Sequence, residues 1–176
     1  TTSMSLSALK VLPVSYGVVP QVQGSTITLT LTSPTKLSIE PNGRTRPLLL
    51  FVNPIEQNPP KTGDPGVIYY GPGGTNTGGS SLSSNQTLYV AGGTVFGGGV
   101  SLSGNNIRIM GRGIIGGNIR INSCRNVLIE GVTIRVSGGW TIVPTRSDSV
   151  TISNIKICKG NTINDDGIDP VNSKNV

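Results

Sequence analysis

The sequence predicts an all-β chain: a right-handed parallel β-helix over residues 61–176, preceded by a small β-sandwich-like module over residues 1–60. Three observations predict it. Thr, Ser, Val, Ile and Asn are abundant, no stretch is rich in Ala, Leu, Glu, Lys and Gln, and Gly 25 and Pro 12 supply turns along 176 residues. A break in composition falls at residues 58–66, where prolines, Gly63 and Asp64-Pro65-Gly66 read as a linker or sharp turn. Beyond that break the sequence repeats itself.

In the first module, residues 25–33 alternate Ile27, Leu29 and Leu31 with threonines, the pattern of a half-buried strand. Residues 36–43 follow, and Asn42-Gly43 is a hairpin-turn signal. Residues 47–54 form an apolar run bounded by prolines, consistent with a buried strand. Tyr69 and Tyr70, just past the break, are expected to pack the junction.

In the second module, similar segments start at Thr87, Ile107, Val127, Val150 and Val176, with spacings of 20, 20, 23 and 26 residues. Each holds an alternating strand, a small residue or Asn, and a second alternating strand. A second register lies upstream of these starts. Leu102, Ile121, Pro144 and Pro170 form one column, and Val100, Ile119, Ile142 and Ile168 form another. One coil therefore holds three short strands. A single coil is too thin to bury its own apolar face, but coils stacked about 4.8 Å apart pair every strand and share one core. Leucine-rich repeats need a Leu-rich pattern that is absent, and a propeller blade needs about 40 residues. Arg112 and Asn154 read as turn and ladder residues.

The formal charge of +6 suits a polyanionic partner or a merely soluble surface. The 14 Lys and Arg are scattered, which argues against nucleic acid. No apolar run reaches the roughly 18 residues of a membrane span, and the opening residues do not read as a leader peptide. Cys124 and Cys158 are compatible with a disulfide and with two small buried hydrophobes.

Three of the eight carboxylates, Asp165, Asp166 and Asp169, fall within residues 165–169. Adjacent acids repel, so such a cluster is costly unless something uses it. Three uses stay open on spacing alone: the paired carboxylates of glycoside hydrolysis, calcium ligation, and a solvated acidic turn. Register adds a constraint. Aligning Pro170 with Pro144 sets Ile168 over Ile142 and Asp166 over Trp140. Strict alternation would turn Asp166 inward, where an unpaired carboxylate cannot stay. Gly167 is expected to break the alternation and release Asp166 toward an outer groove. Trp140 suits either a sugar-stacking platform or coil-end packing.

The segment NDDGIDPVNSKNV, residues 164–176, resembles the Asn-Thr-Asp-Gly-(aromatic or Ile)-Asp segment of polygalacturonase-like glycosidases, glycoside hydrolase family 28. GRGII at 111–115 and GGW at 138–140 are similar to that superfamily too. Parts of residues 39–73 resemble the β-rich front module of the dextranase and isopullulanase group. The resemblance implies a pectin-lyase-like β-helix, a secreted protein, a polysaccharide substrate, inverting hydrolysis, and no metal or cofactor. Asn164 matches the family's Asn, Asp166 the Asp that helps activate the attacking water, and Asp169 the following Asp. Asp165 stands where Thr is usual. The resemblance thus implies Asp166, Asp165 and Asp169 as catalytic candidates, with Asn164 and Trp140 as substrate-binding candidates. The family's second aspartate pair, its His motif and its Arg/Lys motif come later in sequence, and this chain has no His. The chain is accordingly expected to be the front part of a longer enzyme, inactive alone, with an open coil end available for self-association. A polysaccharide lyase on the same fold and a structural or adhesive β-helix are the alternatives.

Overall fold

The computed structural model describes residues 3, 6, 8–135, 138–158 and 163–176. The chain falls into two compact units, residues 1–56 and 57–176.

The first unit is a small antiparallel assembly. β1 (Lys10–Leu12), β2 (Gln21–Gln23), β3 (Thr26–Thr28), β4 (Thr35–Arg44) and β5 (Leu48–Val52) follow in order. β4 pairs with β1 on one side and β5 on the other, and β2 and β3 form a separate hairpin. Val11 pairs with Ile39, and both are buried with Leu37. Three local expectations need correction. Ile27, Leu29 and Leu31 are half-buried between exposed threonines, but the strand stops at Thr28 because its partner β2 is only three residues long. Asn42-Gly43 makes no two-residue turn. Pairing of β4 with β5 closes at Ile39 and Leu48, β4 itself runs on to Arg44, and the bend falls at residues 45–47, where Arg46 takes a left-handed φ of 56°. The 48–52 strand is not buried. It is a sheet edge, with Leu48 58% and Leu49 49% exposed.

The second unit is a parallel β-helix. Its strands are β6 (Val67–Tyr70), β7 (Thr75–Asn76), β8 (Ser80–Leu82), β9 (Thr87–Val90), β10 (Val95–Phe96), β11 (Val100–Gly111), β12 (Ile114–Ile115), β13 (Ile119–Glu130), β14 (Thr133–Ile134), β15 (Ile142–Thr145), β16 (Asp148–Ser153) and β17 (Lys156–Ile157). They stack as three parallel faces. The first joins β8, the front halves of β11 and β13, and β15. The second joins β6, β9, the back halves of β11 and β13, and β16. The third joins β7, β10, β12, β14 and β17. Tyr69 stacks on Tyr89, and Tyr70 meets Phe96 edge-on, both within this unit.

Alternation decides which residues point inward. Leu88, Ile109, Ile129 and Ile152 form one aliphatic column, and Phe96, Ile115, Ile134 and Ile157 another. Val100, Ile119 and Ile142 pair in a third, extended by the bridge from Ile142 to Ile168. Most of these side chains are wholly buried. Each contributes about 1.5–3 kcal/mol on burial, against about 1 kcal/mol for a corner hydrogen bond. The columns, not the corners, therefore hold the stack.

The repeat pairs as expected at Ile107, Val127 and Val150. The first step differs. Thr87 pairs with Arg108, not Ile107, and faces outward. Leu82 still pairs with Leu102, so the longer coil takes its extra residue between Leu102 and Arg108. Gly104, with φ 120°, lies in that interval. A like shift recurs between β11 and β13 at Ser103/Asn105.

The corner between the first and second faces is built from residues that tolerate left-handed backbone. Asn85, Asn106, Asn126, Ser149 and Asn175 have φ of 64°, 58°, 58°, 59° and 52°. Asn and Gly accept this region at least cost. The amides also bond along the stack. Asn106 Nδ2 donates to Asn85 Oδ1 at 3.0 Å, and Asn126 Nδ2 to Asn106 Oδ1 at 2.8 Å. The corner between the third and first faces is glycine. A Cβ on Gly98 would lie 2.4 Å from the Gly78 backbone, and one on Gly117 would lie 2.2 Å from Gly99 N. Backbone there stacks directly on backbone.

Candidate functional site

The acidic segment emerges at this third-to-first corner and enters the first face. Asn164 is exposed at a turn, with φ 58°. Its left-handed backbone is reason enough for an Asn there. Asp165 is half-buried and Asp166 is exposed, and Gly167 sits at a bend. Pairing then resumes at Ile168, which bridges to Ile142. The same offset sets Asp166 against Trp140 and Asp169 against Val143.

The main chain of this segment is fixed by the preceding coil. Thr141 is fully buried. Its backbone N–H donates to Asp166 O at 3.0 Å, and its hydroxyl donates to the same oxygen at 2.9 Å. Ile142 N–H donates to Gly167 O at 3.1 Å, and Asp169 N–H donates to Ile142 O at 2.9 Å. Asp166 is therefore held by its carbonyl while its carboxylate stays in solvent. Thr141 carries no chemical signal in the sequence. Only its place one coil before Asp166 gives it a role.

Trp140 is 43% exposed. Its carbonyl accepts from Arg120 Nη1 at 2.9 Å. Arg120 lies one coil earlier and pairs with Val143 on the first face. An arginine, an aromatic ring and a carboxylate thus come from three successive coils at one corner. Sequence spacing placed Trp140 beside Asp166 but did not include Arg120. Its outward phase beside inward Ile119 was the available signal.

Asp165, Asp166 and Asp169 are brought near one another only as neighbours on one segment. Among the described residues, no group of three His, Cys, Asp or Glu is placed to hold a metal ion. Cys124 and Cys158 are both free thiols. Burial pushes the Cys124 thiol up, partly opposed by hydrogen bonds with the Gly104 and Asn122 backbone. Arg112 lies just after left-handed Gly111, and Asn154 is left-handed with φ 49°.

A second charged cluster sits at the Asn corner. Asp148 Oδ1 accepts from Asn175 Nδ2 at 2.8 Å and from Ser149 Oγ at 3.1 Å. Its Oδ2 lies 3.6 Å from Lys174 Nζ and 3.9 Å from Arg125 Nη2. The Asn175 hydrogen bond is the main cause that holds its carboxyl below the usual value; burial opposes it, and Ser149 and the two cations add to the lowering. Its partners span three coils, and all its close contacts are occupied, so it is a coil-to-coil clasp.

No family model matches the chain, no curated protein is similar to it, and no solved structure matches it.

Proposed function

We propose that the protein binds and acts on a polysaccharide, as the β-helical part of a secreted, polygalacturonase-like glycosidase. The observation that carries this is the corner where the exposed Asp166 carboxylate stands in register with half-exposed Trp140. An aromatic face beside a carboxylate suits a sugar ring, whose C–H face stacks while its oxygens meet polar groups. The double hold of Thr141 on the Asp166 carbonyl supports it, because a group that orients water must itself be positioned. In this role Asp166 accepts a proton from the attacking water as general base.

Inverting hydrolysis also needs an acid on the opposite side of the sugar, about 6.5–9.5 Å away. Asp165 and Asp169 share a segment with Asp166, so neither supplies a partner from a neighbouring coil. Residues 1–176 are therefore expected to bind glycan without cleaving it. Affinity electrophoresis and reducing-sugar assays on polygalacturonate and dextran test this together. Retarded migration in dextran, weakened at least tenfold by Trp140→Ala and left intact by Asp166→Asn, is the expected outcome, with no reducing ends released from either glycan. Failure to bind any glycan would sink the proposal in favour of a structural β-helix.

A further inference from the structure

The second face carries a groove that the Trp140 corner does not use. It has a volume of about 430 Å³ and is lined by Asn85, Asn106, Asn126, Thr87, Arg108 and Leu128, among others. Register explains its shape. Thr87, Arg108, Leu128 and Thr151 pair in sequence, so they form one outward column, one residue per coil. The Asn85–Asn106–Asn126 ladder forms a wall beside it. Each ladder bond uses one amide hydrogen, and the second hydrogen of each amide remains.

Arg108 is the notable member. It is exposed, and its guanidinium makes no hydrogen bond or ion pair with any described residue. By register Glu130 is the nearest outward carboxylate on this face, one coil on and two residues along, and it forms no ion pair with Arg108. Three other outward cations of the β-helix are engaged: Arg120 holds the Trp140 carbonyl, while Arg125 and Lys174 flank Asp148. Five donors in a planar fork are thus left pointing into a trough lined with amides and hydroxyls.

We propose that this groove is a second glycan site, which takes an acidic polysaccharide lying along the helix axis with a sugar carboxylate on Arg108. A guanidinium matches a carboxylate in a two-point hydrogen bond that no neutral sugar reproduces. The Asn wall repeats every coil, about 4.8 Å, which suits a polymer whose own polar groups recur at a similar spacing. Leu128 offers an apolar floor for a ring face, and Thr87 and Thr151 offer hydroxyls. The inference rests on the proposed glycan reading for the class of ligand only, because its residues lie on a different face from Trp140 and Asp166.

Isothermal titration calorimetry with a galacturonate hexamer and a neutral glucan hexamer tests it. Arg108→Gln is expected to weaken galacturonate binding about 10–100-fold, Arg108→Lys to recover part of the loss, and added salt to weaken the wild type. Trp140→Ala is expected to leave the Arg108-dependent event in place. Thermal unfolding of Arg108→Gln should match the wild type, since the side chain bonds to no described residue. Unchanged galacturonate affinity in Arg108→Gln, or equal binding of the neutral hexamer at this groove, overturns the proposal. If only Trp140-dependent binding is seen, the groove fails and the proposed function stands. If only Arg108-dependent binding is seen, the reverse holds.

Discussion

At the scale of single residues, Asn106 does two jobs. Its backbone is left-handed, and its amide links the coils on either side. An Ala at that φ costs about 1–2 kcal/mol, and each lost amide bond adds about 1 kcal/mol. Asn106→Ala should therefore lower unfolding free energy by about 2–3 kcal/mol in urea titrations, the terms being less than additive. Asn106→Gly keeps the backbone and loses only the ladder, so it should cost less. Equal losses in the two variants would mean that the backbone contributes little. Asp148 gives a pH signature. Its folded carboxyl lies below the ordinary 3.8, held there first by Asn175. The folded state therefore binds that proton less readily than the unfolded chain. The stabilisation is complete above the unfolded value and fades as pH falls through the folded one. Unfolding midpoints measured between neutral pH and about pH 3 should drop at the acid end, and Asp148→Asn should flatten part of that drop.

At the scale of elements, the three corners solve one problem in three ways. The chain must turn sharply while the coils stay about 4.8 Å apart. One corner uses left-handed Asn with bonded amides. Another uses left-handed Gly111, Gly131 and Asn154, and there Lys156 Nζ donates to the Gly131 carbonyl at 2.9 Å and the Asn154 carbonyl at 3.1 Å. The third removes side chains altogether. Gly117→Ala would place a methyl 2.2 Å from the Gly99 nitrogen, and backbone cannot yield as a flexible side chain does. A loss of about 1–3 kcal/mol is expected. Because this corner leads into Trp140 and Asp166, Gly117→Ala should also weaken glycan binding in the electrophoretic assay. Undiminished stability in that variant would show that the corner has room to relax.

At the scale of the whole molecule, stability rests on columns of aliphatic side chains that cross every coil. Ile109 sits mid-column between Leu88 and Ile129 and is fully buried. Ile109→Ala should cost about 2–5 kcal/mol, whereas Leu49→Ala on the exposed edge of β5 should stay within about 0.5 kcal/mol. Denaturant unfolding monitored by circular dichroism measures both. A similar cost at the two sites would contradict the burial difference that separates them.

The sequence by itself determined the all-β class, the coil period, the inward columns and the stacking of Asp166 on Trp140. All four follow from local alternation and near-constant spacing, which a chain carries in its own order of residues. Only the tertiary structure decided how each segment is partnered. The one-residue slip that pairs Thr87 with Arg108 depends on where a coil accommodates its extra residue. The apolar run at 48–52 looked buried but became a sheet edge, because burial depends on how many neighbours a strand has. Asn85, Asn106 and Asn126 were visible as residues, yet their bonded ladder exists only once coils are stacked. The same holds for Thr141 beneath Asp166 and for Arg108 in its groove. Their roles depend on which residue lies one coil away, and that distance is short in space but about twenty residues or more along the chain.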